Sequence, residues 1–171
     1  MFTNAQIEIE TLPKLEEVSL QAISRKYLNI ILINKFIIFA VVYGALFIAK
    51  MFASDVLFTE YFWYLIIALT LILILNLVFT VLAFNKRKYA LREKDVIYSK
   101  GLLFLKTTVV PISRIQHIEE TRTWLARQFG LASLKLFTAG DSGTDLSING
   151  LTTDEAKRIN DFLSAKIDAE D

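Results

Sequence analysis

The sequence predicts a membrane-anchored α+β protein: two transmembrane helices in a hairpin, then a small domain of short strands and one closing helix. Three observations carry that expectation. Residues 61–84 form an uncharged stretch of 24 residues, interrupted only by Thr70, Asn76 and Thr80. A second, shorter apolar run precedes it. After Lys88 the pattern breaks into short segments rich in β-branched and aromatic residues, ending in an amphipathic helical stripe.

The chain has 171 residues, enough for one ordinary domain plus an anchor but not for two full domains. Its 54% hydrophobic fraction exceeds the roughly 45–50% of average soluble domains, and the excess is concentrated in the two runs. As a helix, residues 61–84 would be roughly 36 Å long at about 1.5 Å per residue, enough to cross a hydrocarbon core of about 30 Å. The first span is placed at residues 30–53, where Lys35 and Lys50 must snorkel toward opposite interfaces. Residues 54–60 then form the external loop. Arg25, Lys26 and Lys35 flank the first span, and Lys86, Arg87 and Lys88 follow the second. The connector holds Asp55 and Glu60 and no Lys or Arg, so the positive-inside rule puts both termini in the cytoplasm. No short apolar region with a cleavage site opens the chain, which argues against a signal peptide.

Residues 1–29 make a cytoplasmic juxtamembrane segment. Leu12, Leu15, Val18, Ala22 and Ile23 recur near helical spacing, predicting a short amphipathic helix that lies on the bilayer or packs on the C-terminal domain. Residues 88–171 form that domain. Strand material is expected at 88–93, 96–100, 102–106, 107–111, 114–121, 133–138 and 145–149. A helical turn spans 124–129 and ends at Gly130. Thr152 and Glu155 have the spacing of a capping box, opening a helix with the stripe Ala156, Ile159, Leu163 and Ile167.

The run of residues 111–118, PISRIQHI, and the run of residues 127–140, RQFGLASLKLFTAG, resemble the bacterial pleckstrin-homology (PH) domain of the YdbS-like membrane protein family. The layout of polar lead, two membrane helices and one such domain is similar throughout. Phe137 is the departure, standing where a more polar or basic residue is expected. The resemblance implies a PH-like fold: a bent seven-stranded antiparallel β-barrel capped by the C-terminal helix. It also implies a place beside a larger relative carrying several such domains, and it supplies no reaction.

Little catalytic chemistry is visible. His117 is the only histidine and there is no cysteine, so thiolate metal sites and disulfides are excluded and no cofactor or metal is expected. His117 is expected to be a partly buried strand residue. The run of residues 140–143, GDSG, is expected to be a hairpin turn rather than a nucleophile loop. Glu119 and Glu120 would point to opposite faces of a strand. Nothing suggests nucleic-acid binding.

The binding readings are more concrete. From Asn85 onward there are 14 Lys+Arg and 12 Asp+Glu, with the positive residues early. Lys86, Arg87, Lys88, Lys94, Lys100 and Arg114 are the candidates to meet anionic membrane lipids, with Lys94, Lys100 and Arg114 as a candidate headgroup pocket. Asn76, Trp124 and Phe129 are candidate contacts to a protein partner or a second copy in a homo-oligomer; each also has a packing role open to it. Gly44 and Ala45 offer a smooth spot for helix approach. The expectation is a non-enzymatic binding or scaffolding subunit in a larger membrane assembly, or alternatively a lipid-binding module.

Overall fold

The computed structural model describes residues 18–53, 55–138 and 146–170. The predicted glycine turn at 140–143, and Leu12 and Leu15 of the predicted juxtamembrane helix, lie outside them. Two apolar helices dominate one end: α1, Lys26–Phe52, and α2, Val56–Phe84. Each begins before its predicted span, α1 at Lys26 rather than 30 and α2 at Val56 rather than 61, so most of the loop expected at 54–60 is helix. The α2 start is set by Asp55, whose carboxylate accepts the Leu57 N–H at 2.9 Å, so helix begins well before the uncharged run. Almost none of either apolar stretch is buried within the chain, which a hydrocarbon surround requires and water would penalise.

Polar and aromatic contacts cross the hairpin at successive levels. The Lys35 ammonium donates to the Asn76 side-chain carbonyl, and the Tyr43 hydroxyl meets the Thr70 hydroxyl at 2.8 Å. Near the connector, Lys50 sits 4.3 Å from the centre of the Phe62 ring and 4.8 Å from that of Trp63, with Phe47 edge-on to Phe62. Lys35 therefore does not snorkel alone. It has a partner within the hairpin.

The rest is strands β1 (Gln21–Ala22), β2 (Lys88–Leu91), β3 (Asp95–Lys100), β4 (Lys106–Pro111), β5 (Ile115–Thr121), β6 (Leu131–Thr138) and β7 (Leu146–Thr152). A short helix α3 (Trp124–Gln128) follows β5, and α4 (Thr153–Glu170) ends the chain. All pairing is antiparallel, in two sheets ordered β1-β2-β3-β4 and β5-β6-β7. Both sheets contribute to one core, in which Val96, Tyr98 and Val110 meet Leu134, Leu136 and Ile148 under Ala156, Ile159 and Leu163 of α4. The capping box forms as predicted: Glu155 accepts from the Thr152 N–H at 2.9 Å and the Thr152 hydroxyl at 2.8 Å.

Four expectations are corrected. The two sheets do not close as a barrel. After Pro111, which has no N–H to give a ladder, a 3-10 turn at Ile112–Arg114 carries the chain from β4 across to β5. The seventh strand comes from before the hairpin: Gln21 and Ala22 pair with Tyr89 and Lys88 instead of forming helix, and Ile23 enters the domain core. Residues 102–105 are a loop, not strand. His117 is exposed, its ring stacked 4.1 Å from that of its cross-strand neighbour Phe137. Phe137, the residue expected to be polar or basic, thus supplies the ring on which His117 stacks.

The helices join the domain at a built junction. In the β6–β7 ladder Ala132 faces Leu151 and Ser133 faces Asn149, leaving Gly150 as an extra, bulged residue. Its φ is +84°, and its carbonyl, turned out of the ladder, accepts the Ser24 N–H at 3.0 Å. The Tyr27 ring lies against it so closely that a Cβ on Gly150 would meet that ring at 2.6 Å. Phe84, the last residue of α2, is buried in the same core.

Gly150→Ala is therefore expected to destabilise the domain by about 1–3 kcal/mol from the left-handed backbone alone, with the ring collision added. Denaturant unfolding followed by circular dichroism measures this. Tyr27→Ala in the Gly150→Ala background should relieve the collision but not the backbone strain, giving a non-additive double mutant.

Candidate functional site

The six basic candidates divide between the two ends of the first sheet. Lys88 opens β2 directly after α2, and its partner on β3 is Ser99, so Lys100 lies at the same end as Lys86, Arg87 and Lys88. Lys94 sits in the β2–β3 turn at the other end. Its carbonyl accepts the Ile112 N–H at 2.9 Å, which brings the turn beside the 3-10 segment that holds Arg114. The rise of β3 alone puts roughly 20 Å between Lys94 and Lys100. Lys94, Lys100 and Arg114 do not assemble into one pocket; Lys106, cross-strand from Lys100, joins the hairpin-end group instead.

The aromatic candidates separate too. α3 is capped by Thr123, whose hydroxyl accepts the Ala126 N–H at 3.2 Å, and it packs on α1 through Ala126 against Ile30. Phe129 is partly buried in that cluster with Leu131. Trp124, 66% exposed, points away from it. Asn76 has its side-chain carbonyl engaged by Lys35, and Thr80 donates to the Asn76 backbone carbonyl at 2.6 Å. Gly44 faces open space in α1 rather than α2.

Among the described residues of the domain, two concavities bear on a binding site. One, about 390 Å³, is bounded by Gln21, Tyr89, Leu91, Glu155, Arg158 and Ile159, where β1 and β2 meet α4. The other, about 240 Å³, lies at the corner where the chain leaves the first sheet, lined by Thr108, Val109, Val110, Pro111, Arg114 and Thr138. β4 and β5 are the end strands of the two sheets that this corner joins. Among the described residues no group of three or more His, Asp or Glu side chains is placed to hold a metal. Three of the domain's carboxylates are engaged in ion pairs: Glu119 with Lys135 at 3.4 Å, Glu120 with Arg122 at 2.5 Å, and Asp95 with Arg92.

The family model for the bacterial PH domain matches residues 28–167, both helices included. The chain belongs to the bacterial PH-domain family. It is also 30% identical over 77 residues to the UPF0699 transmembrane protein YdbS of Bacillus subtilis (strain 168), covering 45% of this chain and 46% of that protein. The chain thus spans about half the length of the curated relative it matches. No solved structure matches it. Together the family, the transmembrane relative and the two long apolar helices identify a membrane protein with a PH-like fold.

Sequence reasoning missed three features of this bacterial PH domain. The Lys35–Asn76 pair joins residues 41 apart, and each looked like an isolated anomaly. The seam depends on which strands do not pair, which no local signal encodes. The loop of residues 102–105 read as strand because its residues are apolar; only its exposure distinguishes it.

Two core phenols give a pH test. Burial, reinforced by the negative charge of Glu155, pushes the Tyr89 hydroxyl up, against a smaller opposing effect of Arg158. Burial likewise raises Tyr98, opposed by Arg87. The unfolded chain therefore ionises first, near the ordinary tyrosine value of about 10. The stability from this source is full below that pH and is lost as pH rises through the higher folded-state values. Tyr98→Phe is expected to flatten the alkaline fall in unfolding temperature above about pH 10, relative to the parent chain.

Proposed function

We propose that this chain is a non-enzymatic, membrane-tethered binding subunit whose PH-like domain holds a protein partner at the cytoplasmic face of the membrane. The observation that carries the reading is the open seam. Edge strand β4 walls a groove of about 240 Å³, with Val109 exposed along it and Arg114 of the 3-10 turn and Thr138 at the end of β6 completing the lining. An extended segment can add to such an edge through main-chain hydrogen bonds, and an arginine beside it favours an acidic side chain or terminus. The partner class is a related PH-domain protein in the same membrane, or a second copy of this chain. Trp124 offers an exposed aromatic anchor for it, while Phe129 packs in the cluster with Ile30 and Ala126 that holds α3 on α1. Asn76 and Gly44 are the corresponding contacts at the helix level. The hairpin confines both partners to one surface, so a weak contact gains from high effective concentration.

The cytoplasmic placement rests on charge. Arg25, Lys26, Lys35, Lys86, Arg87 and Lys88 flank the domain end of the hairpin, against Asp55 and Glu60 at the connector. A second reading, recognition of anionic headgroups, is favoured by one observation: Lys86, Arg87, Lys88, Lys100 and Lys106 gather at the hairpin end of the sheet. Each can contribute on the order of 1 kcal/mol near an anionic surface.

Gentle-detergent purification of the whole tagged chain, with mass spectrometry of what accompanies it, separates the readings. A stoichiometric protein lost on Arg114→Glu or Trp124→Ala is the expected result. A chain that carries only anionic lipid, unchanged by either substitution, would overturn the scaffold reading in favour of the headgroup one.

A further inference from the structure

The loop between β3 and β4 exposes three large apolar side chains in succession: Leu103 at 75%, Phe104 at 87% and Leu105 at 69%. Elsewhere in the described domain, exposed large apolar side chains stand singly, as Val109, Trp124 and Phe162 do. Single ones are ordinary on any protein surface; a contiguous exposed group marks a contact. The loop is also built rather than slack. Gly101 has φ +117°, and a Cβ there would lie 1.9 Å from the Phe104 carbonyl oxygen, so the chain folds back at a position only glycine allows.

Its location follows from the register. Lys88 is four residues past the end of α2, and Ala22, four residues before α1, pairs with it on one side. On the other side Lys88 pairs with Ser99. The next pair out, Lys100 with Lys106, therefore lies one step closer to the hairpin, and the loop extends beyond that. The apolar tip thus projects from the end of the sheet at which both transmembrane helices attach. Tyr98, two residues before Lys100, shares its core with Tyr27 of α1, which ties this end of β3 to the hairpin base.

The chemistry suits one occupant. Three apolar side chains lie at the tip, with the lysine pair Lys100 and Lys106 at its base and Lys86, Arg87 and Lys88 close to the same level. Apolar groups would enter the region below the headgroups, while the lysine stems run along the boundary and their ammonium groups meet lipid phosphates. We infer that residues 103–105 insert into the interface of the bilayer that holds the hairpin, making this loop a third membrane contact beside α1 and α2. The inference rests on the transmembrane hairpin and does not need the protein-partner reading; it shares its lysines with the headgroup reading. Added to the junction of Ser24, Tyr27 and Phe84 with the domain, a third membrane contact at the loop opposes tilting of the sheet away from the bilayer.

The chain contains no cysteine, so one introduced thiol reports one position. Phe104→Cys, labelled with a polarity-sensitive fluorophore, is examined in the whole chain reconstituted into vesicles of phosphatidylethanolamine and phosphatidylglycerol. Doxyl-labelled lipids serve as quenchers, and Lys94→Cys at the far turn is the reference. The Phe104 label is expected to emit at shorter wavelength and to be quenched several-fold more than the Lys94 label. Changing Leu103 and Leu105 to Ser should reduce that quenching several-fold; both side chains lie outside the core, and Leu103→Cys gives an independent reporter. Equal quenching at positions 104 and 94 would overturn the inference. So would a blue shift without lipid quenching that grows with protein-to-lipid ratio, which would assign the loop to a second copy instead.

Discussion

The bulge at Gly150 is the constraint on which the rest of the molecule depends. One residue too many in β7 turns a carbonyl out of the ladder, and Ser24 uses it. The missing side chain leaves room for the Tyr27 ring, and with Tyr27 in place α1 starts against the domain. Ile23 then fills the core from one side of the hairpin and Phe84 from the other. The two sheets and the two membrane helices consequently share one hydrophobic core. A flexible linker would have made the hairpin a mere tether; this junction makes it a lever arm, so that the membrane sets the domain's position and the domain holds the helices' ends.

That sharing explains which parts of the fold could be read from sequence. The second helix was legible because a long charge-free run has few alternatives, and α4 because its cap and stripe are local and agree with each other. The bulk of the strands showed in their β-branched and aromatic content. β1 did not. It is a two-residue strand whose partner lies across the whole hairpin, and the apolar spacing leading up to it imitates a helix. Tertiary pairing overrode a weak local pattern. The candidate site divides the same way. The basic residues at the end of α2 were visible as a run, whereas their union with Lys100 and Lys106 required the β2–β3 and β3–β4 registers. Lys94 and Arg114 looked equivalent to Lys100 on composition and differ from it by the length of a strand.

The open seam has a physical reason beyond the 3-10 turn. Closing a small barrel needs every strand to find two neighbours, and here β1 is too short to extend the first sheet far. Pro111 ends β4 where a ladder toward β5 would have to begin. Ile112 and Ile115 turn inward and complete the core at that corner, so the sheets stay packed without pairing. The edge of the first sheet is thereby left open at one defined place.

Within the membrane the argument shifts, because apolar burial gives little drive for one helix to choose another when lipid is equally apolar. The polar rungs therefore carry the specificity of the hairpin. Lys35 with Asn76 and Tyr43 with Thr70 can each form in only one vertical register, and the stack of Lys50 on Phe62 and Trp63 agrees with it near the connector. That register decides where α1 and α2 end relative to each other, and so whether Ala22 can meet Lys88. A single residue added to α2 would turn Phe84 by about 100° and displace it by about 1.5 Å, taking it out of the core it shares with Ile23. The rungs inside the bilayer and the sheet outside it are thus two readings of one alignment, and neither can slip without the other.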